Sequence, residues 1–298
     1  MNTSVLEPLP PGMLEADREP LPPVATTAVA GLCDVASTLL IPLAARACGD
    51  ALFPRVAQGD AHAARILSRL GADVSAYLAD RASVYGVLVR TQVFRRCALR
   101  FFERHPRAIG ASLGAGLGHY HQWLDNGCNT WIDADLPEVI ALRESLLPDD
   151  NPRRLDALLD LTRPGWWARL GLPSGPDEPP VLLICEGVLM YLEPAQVQAV
   201  LHEVGEKAPP GSRLLLDALC WLAVGRARRH PSVRHTGAEF RWGARHWRDL
   251  TAPHPRLRLD AEHKVMEGYG WSHAALGPLF RFAMGVPLYG VAELGVDA

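Results

Sequence analysis

Ala108-Ile109-Gly110-Ala111-Ser112-Leu113-Gly114-Ala115-Gly116-Leu117-Gly118, followed by Thr130-Trp131-Ile132-Asp133-Ala134-Asp135, is the stretch that decides the fold. Ile109, Ala111 and Leu113 alternate as one face of a strand and run into a glycine-rich turn. Glycine at 114 and 116 tolerates positive φ and lets a ligand approach the backbone closely. About 20 residues further on, at the end of a second apolar strand, Asp135 stands where a carboxylate can accept both hydroxyls of a ribose. Strand, glycine turn, helix, strand and terminal acid together describe a nucleoside-binding α/β unit. The glycines alone do not, because G-x-G-x-G also occurs in plain turns.

Working outward, the alternation of strand and helix continues to residue 217 and argues for a parallel doubly wound sheet. Asp135-Leu136-Pro137-Glu138 opens a helix, with Asp as cap, Pro in the first turn and Glu three residues after the cap. Leu158-Leu159-Asp160-Leu161 reads as a short third strand, and the continuous apolar run Val181–Cys185 as a central one. A helix from Pro194 through Val197, Val200, Leu201 and Val204 stops at Pro209-Pro210-Gly211. Leu214-Leu215-Leu216, ending at Asp217, is the fifth strand, and the tail from Leu257 supplies the last two.

Three further regions follow from composition and spacing. Residues 1–25 carry six prolines among acidic and small residues and read as an extended arm. Residues 26–105 read as a helical cap, with Val84, Val87, Leu88, Thr91, Phe94, Ala98 and Phe101 forming one apolar face of its last helix. The sheet domain takes up 106–298. Within it, residues from about 220 to 250 are basic and aromatic and read as a helical insertion over the site.

The whole-chain numbers exclude several classes. A length of 298 residues can bury a sizeable core, and a net charge of −3 gives no global attraction to nucleic acid or anionic membrane. No run approaches the roughly 18 apolar residues of a membrane-spanning helix, and the first residues lack the order of a secretion signal. The cysteines at 33, 48, 97, 128, 185 and 220 show no metal-ligand spacing and read as reduced residues of a cytoplasmic protein. His119 and His121 form an H-x-H pair with no acidic or thiol partner nearby in sequence, so no metal is expected.

Three motifs then occur in order: Ser112-Leu113-Gly114-Ala115-Gly116-Leu117; Trp131-Ile132-Asp133-Ala134-Asp135-Leu136-Pro137-Glu138-Val139-Ile140; and Cys185-Glu186-Gly187-Val188-Leu189-Met190-Tyr191-Leu192. In this the chain resembles the leucine carboxyl methyltransferase family, in its bacterial branch of small-molecule O-methyltransferases typified by tetracenomycin polyketide methyltransferases. The resemblance runs from about Leu70 to Leu259. It implies a class I S-adenosylmethionine-dependent methyltransferase: a Rossmann-like doubly wound α/β sheet with an N-terminal helical cap and a helical insertion near the C-terminal end.

The resemblance also implies a set of cofactor contacts. Gly114, Ala115 and Gly116 pass beneath the methionine part of the cofactor, and Asp135 with Leu136 meets the ribose. Asp160 and Leu161 meet the adenine. Glu186 lies beside the cofactor's ammonium, and Arg90 pairs with its carboxylate. Ordinary explanations stand beside these: Asp135 as a helix cap, Asp160 as a turn residue, Arg90 on a solvated face shared with Arg95, Arg96 and Arg100. Asp133 competes for the ribose but suits a structural role, and Arg81 is a weaker alternative to Arg90. The chain departs from the family at Gly118-His119, where relatives usually carry Asp-Thr.

Methyl transfer from a sulfonium is an in-line displacement, so alignment and a water-poor pocket are the main requirements. A carboxylate acceptor needs no base; a phenol or alcohol does. The resemblance implies carboxyl O-methylation of a small molecule, with Tyr191, Arg241 and His246 as catalytic candidates beside Trp242 and Arg245. Hydroxyl, sulfur and nitrogen acceptors stay open, as does a non-catalytic cofactor-binding member. A nicotinamide-dependent oxidoreductase is the other class that binds a ribose this way, but it has no place for the Glu-Gly-Val-Leu-Met-Tyr-Leu motif. The expected partner is a small-molecule methyl acceptor, and the expected assembly a monomer or homodimer.

Overall fold

The computed structural model describes residues 36–146, 148 and 151–298, so the proline-rich arm expected at 1–25 lies outside the described residues. The strands are β1 (Ile109–Leu113), β2 (Thr130–Asp135), β3 (Arg154–Leu158), β4 (Leu182–Cys185), β5 (Arg213–Leu219), β6 (Leu257–Lys264) and β7 (Tyr289–Val296). They form one sheet in the order β3-β2-β1-β4-β5-β7-β6. The first five are parallel, and β7 runs antiparallel to β5 and β6. The chain winds outward from β1 to β3 and then crosses back to β4, so the loops after β1 and β4 part at the carboxyl end of the sheet. A crevice at such a switch point is where open α/β sheets bind ligands.

The helices are α1 (Leu40–Leu52), α2 (Ala61–Leu70), α3 (Ser75–Ala79), α4 (Arg81–Arg104), α5 (His121–Leu124), α6 (Pro137–Leu146), α7 (Trp166–Arg169), α8 (Pro194–Lys207) and α9 (Trp271–Met284). Helix α4 starts where the Asp80 carboxylate accepts the Ser83 N–H at 3.2 Å and the Ser83 hydroxyl at 2.6 Å. Such a cap is worth about 1 kcal/mol. Further along, Phe94, Phe101 and Phe102 of α4 pack on Trp131, Leu182, Ile184, Leu215 and Val291, covering one face of the sheet. Val197, Val200 and Leu201 of α8 cover the other, against Ala111, Leu113, Leu183 and Leu216.

Helices α1 and α2 lie over the crevice. Leu43, Ile66 and Leu70 pack with Leu117, Leu142 and Leu146, so the cap rests directly on the glycine turn and on α6. At the crossing of α1 and α4, a Cβ added to Gly49 would stand 2.9 Å from Val84 Cγ1. Only a hydrogen there allows that approach. The long α4, read from the sequence as one apolar-faced helix, thus joins cap and sheet and carries Arg90 to the crevice.

The structure corrects three readings. The third strand is Arg154–Leu158, not Leu158–Leu161. It is an edge strand whose inward positions are polar: Arg154 Nε lies 3.3 Å from Asp133, and its Nη2 lies 2.8 Å from Asp156. Its Leu158 is 62% exposed. Ion pairs rather than apolar alternation therefore bury this strand, and the leucine run marks its end. The insertion at 220–250 is built of short 3-10 turns at Trp221–Ala223, Ala227–Arg229, Val233–His235 and Trp247–Leu250. Gly225, Pro231, Gly237 and Gly243 interrupt every stretch long enough for an α-helix. Finally, α9 stands between β6 and β7, with Pro278 inside it, where the sequence suggested only strands.

Candidate active site

Six of the expected residues, Gly114, Ala115, Gly116, Asp135, Leu136 and Glu186, stand at the carboxyl ends of β1, β2 and β4. Gly114 has φ 76°, and a Cβ there would fall 2.4 Å from Val188 Cγ2, so the turn after β1 fits against the loop after β4 only as glycine. Gly116, at φ 53°, gives its N–H to Asp135 Oδ2 at 2.7 Å. The other Asp135 oxygen accepts the Leu136 N–H at 2.7 Å. Burial pushes the Asp135 carboxyl up from its ordinary value, against the pull of those two N–H groups. Each oxygen keeps a lone pair, so a carboxylate anchored to the turn can still accept from a ligand hydroxyl.

Arg90 is the centre of the second half of the site. Its Nε and Nη2 lie 2.8 and 2.7 Å from Glu186 Oε1. Its Nη1 donates to Asp217 Oδ2 at 2.9 Å and to the Tyr289 hydroxyl at 2.6 Å. The Tyr289 hydroxyl donates its own hydrogen bond to Asp217 Oδ2 at 2.5 Å, while Asp217 Oδ1 accepts the Gly187 N–H at 2.6 Å. Tyr120 donates to Glu186 Oε2 at 2.5 Å. Three of the five guanidinium donors make hydrogen bonds, on Nε and Nη1, and Nη2 meets Glu186 as an ion pair. Burial alone would raise the Glu186 carboxyl, but Arg90, Arg46 and the Tyr120 hydroxyl outweigh it and hold it below the usual carboxylate range.

Sequence reasoning missed Tyr120, Asp217, Tyr289, Arg46 and Asp60 as members of this network. Arg46 on α1 is buried, with Nε 3.2 Å from Asp60 and Nη1 4.0 Å from Glu186. Asp217 ends a leucine run, and a strand-end acid is the kind of signal that could have marked it. No local signal marks Tyr289, which lies 199 positions from Arg90. Asp133 proves to be buried scaffold: Arg143 Nη2 and Trp131 Nε1 donate to it at 2.5 and 2.9 Å. Arg143 also donates to the carbonyls of Gly116 and Gly118 at 2.7 and 2.6 Å, clamping the glycine turn from below.

The other expected residues have different neighbours. Asp160 lies in the loop after β3, where Thr162 donates through its hydroxyl at 2.5 Å and its N–H at 3.0 Å. The Thr162 hydroxyl is the main reason its carboxyl sits below the usual range. Leu161 is buried in the core beside it. Tyr191 joins the Arg90 side: its phenol feels Arg90 and Asp217, interacts with the Thr38 hydroxyl, and is pushed up to about 12, chiefly by burial. Arg241 instead pairs with Glu193 at 2.9 Å, both half-exposed, and lines a cavity of about 750 Å³ with Trp221, Trp242 and Arg245. His246 lies against the C-terminal end of α9, where a Cβ on Gly285 would be 2.7 Å from its Nδ1. His119, at the departure from the family, stacks on His62 with ring centroids 4.1 Å apart. Burial, then the neighbouring His62 and arginines, lowers it to about 2.

The model of the family described as leucine carboxyl methyltransferase matches residues 42–205, from α1 to within α8. The chain belongs to this family. It is 32% identical over 238 residues to the tetracenomycin polyketide synthesis O-methyltransferase TcmP of Streptomyces glaucescens, covering 79% of this chain and 85% of that one. It is 28% identical over 260 residues to the S-adenosyl-L-methionine-dependent methyltransferase dpfgK of Gibberella zeae, covering 78% and 85%. Among solved structures, human N-acetylserotonin methyltransferase aligns at TM-score 0.43 and 12% identity, covering 78% of this chain and 62% of that one.

As a leucine carboxyl methyltransferase family member, the chain is an S-adenosylmethionine-dependent methyltransferase. The residues of the crevice fit that cofactor. Asp60, Glu186 and Asp217 outnumber Arg46 and Arg90 by one charge in a buried cluster. A buried excess of negative charge suits a ligand whose ammonium and carboxylate cancel and whose sulfonium remains. No helix among the described residues is long and apolar enough to cross a membrane.

Proposed function

We propose that this chain methylates a carboxylate of a small molecule of the polyketide or peptide natural-product kind, forming its methyl ester. In this reading Gly114, Ala115 and Gly116 pass beneath the methionine part of the cofactor, and Asp135 with Leu136 binds the ribose. Asp160 and Leu161 border the adenine. Arg90 takes the cofactor's carboxylate, and Glu186 faces its ammonium. S-adenosylmethionine supplies a methyl group made electrophilic by its sulfonium. The chain's own work is then to hold the acceptor in line and keep water out.

The observation that carries the carboxylate is Tyr191. Its hydroxyl interacts with Thr38, and a phenol pushed up to about 12, chiefly by burial, keeps its proton near neutral pH. It is therefore a donor, suited to holding an anion and unsuited to removing a proton. A carboxylate is ionised at that pH and needs no base. The name of the Streptomyces relative, which concerns polyketide synthesis, supports the natural-product context.

The test is transfer of labelled methyl from S-adenosylmethionine to a panel of aromatic and aliphatic acids, phenols, thiols and amines. A product that releases labelled methanol in mild base is an ester and supports the proposal. A base-stable label on a phenol or amine overturns the carboxylate. Cofactor binding with no transfer to any member of the panel would favour a non-catalytic role.

A further inference from the structure

On the sheet face covered by α4, three donor groups meet that the sequence keeps far apart. Cys97 Sγ lies 3.6 Å from His263 Nε2. That nitrogen lies 3.8 Å from Glu293 Oε2, and the three donor atoms all fall within 4.8 Å of one another. A tetrahedral zinc ion with bonds of about 2.3 Å to sulfur and about 2.0–2.1 Å to nitrogen holds those two atoms about 3.6 Å apart. The observed sulfur–nitrogen distance matches, and the nitrogen–oxygen distance needs to close by only about half an ångström for ligand bonds of that length. Cys97 is buried, while His263 and Glu293 are partly exposed, which leaves a fourth position open to water.

We propose that Cys97, His263 and Glu293 form a three-ligand site for zinc or a similar borderline divalent cation, apart from the cofactor crevice. Loading forms a metal–sulfur bond and releases the Cys97 thiol proton to solvent. His263 contributes the Nε2 lone pair of its neutral imidazole, and Glu293 its carboxylate. Thiolate and carboxylate together cancel the charge of the divalent ion, so the half-buried site is neutral.

Two arginines contest the position. Arg100 Nη2 is 3.2 Å from Cys97 Sγ and 3.7 Å from Glu293 Oε2, but its side chain is 46% exposed and can turn outward. Arg213 meets the other oxygen, Oε1, at 3.6 Å and is shared with Asp260 at 3.3 Å, so Oε2 stays available.

The site has a place in the architecture. Helix α4 and strand β7 are already tied by Arg90 and Tyr289. Cys97 follows Arg90 by two helical turns, and Glu293 follows Tyr289 by four strand residues, so each pair shares a face. A metal at Cys97–His263–Glu293 adds a second tie between the same two elements and joins β6 to them. It would stiffen the helix that presents Arg90.

Cobalt(II) titration of the metal-stripped full chain tests this directly. Expected is thiolate-to-cobalt charge-transfer absorption saturating at about one ion per chain, with visible bands of a four-coordinate site, displaced by zinc. Cys97→Ser should abolish the charge-transfer band, and His263→Gln and Glu293→Gln should each weaken cobalt binding more than about tenfold. Zinc should raise the wild-type melting temperature and leave that of Cys97→Ser unchanged. No such band in the wild type overturns the proposal. So does a band that survives in Cys97→Ser, which would assign the metal to another thiol such as the exposed Cys128. If Cys97→Ser does not fold, unchanged cobalt affinity in His263→Gln is decisive against it.

Discussion

Two of the buried arginines at the crevice, Arg143 and Arg90, are wired differently. Arg143 gives hydrogen bonds to two backbone carbonyls of the glycine turn as well as to Asp133 and Asp156. Arg90 bonds only to side chains, Glu186, Asp217 and Tyr289. A guanidinium spent on carbonyls fixes the path of the chain. One spent on carboxylates and a phenol can exchange partners with a charged ligand at small cost, since its own acids remain to balance it. The first is a scaffold for the turn, and the second is the adjustable part of the site.

The largest expected effect is on the scaffold side. Arg143→Ala leaves the buried Asp133 short of its main partner and should cost about 3–5 kcal/mol of unfolding free energy in a denaturant titration. If the variant keeps wild-type stability, Arg143 is no clamp and the contrast collapses. On the other side, Asp217→Asn keeps the shape but removes the charge that orients Arg90. Calorimetric affinity for S-adenosylmethionine should fall about a hundredfold, with a smaller loss of stability. A loss of stability as large as that of Arg143→Ala, with affinity intact, would reverse the assignment.

A smaller effect concerns pH. His119 is held neutral in the fold, at about 2, but protonates freely when unfolded. The unfolded chain therefore binds the extra proton first, so stability is unaffected above the ordinary histidine range and falls with acidity from about pH 6.5 downward. Between about pH 6.5 and 5 this residue should take away about 2 kcal/mol. Denaturant titrations at both values should show that slope in the wild type and a flatter one in His119→Gln. The smallest change is Tyr289→Phe, which removes one bridge between Arg90 and Asp217. It should weaken cofactor binding about tenfold, measured by the same calorimetry, with stability within about 1 kcal/mol of wild type.

How much of this was legible beforehand varies with the kind of residue. The central strands, α4 and α8 carry apolar periodicity strong enough to be read directly, and they stand where it put them. The edge strand β3 was misplaced by a few residues because arginine–aspartate pairs, not leucines, bury it. In the site, Glu186 and Asp135 lie on motifs whose order the sequence displays, and Arg90 was expected from the resemblance alone. Tyr120, Asp217 and Tyr289 have no motif of their own, and they were found only where they touch Arg90 or Glu186. Arg241 and His246 attracted attention by composition, yet the insertion folds into short turns that give them other neighbours.

The sequence by itself determined the α/β core and the glycine turn, which depend on local rules: strand and helix periods, turn glycines and residues a few positions apart. The family, and hence the cofactor, came from the resemblance carried by three ordered motifs. The tertiary structure decided which distant groups meet, Arg90 with Tyr289, Arg46 with Glu186, and Cys97 with His263 and Glu293. Such pairings follow from how α4 crosses the sheet and where β7 inserts between β5 and β6. That is a matter of packing one layer on another, and no local pattern of residues encodes it.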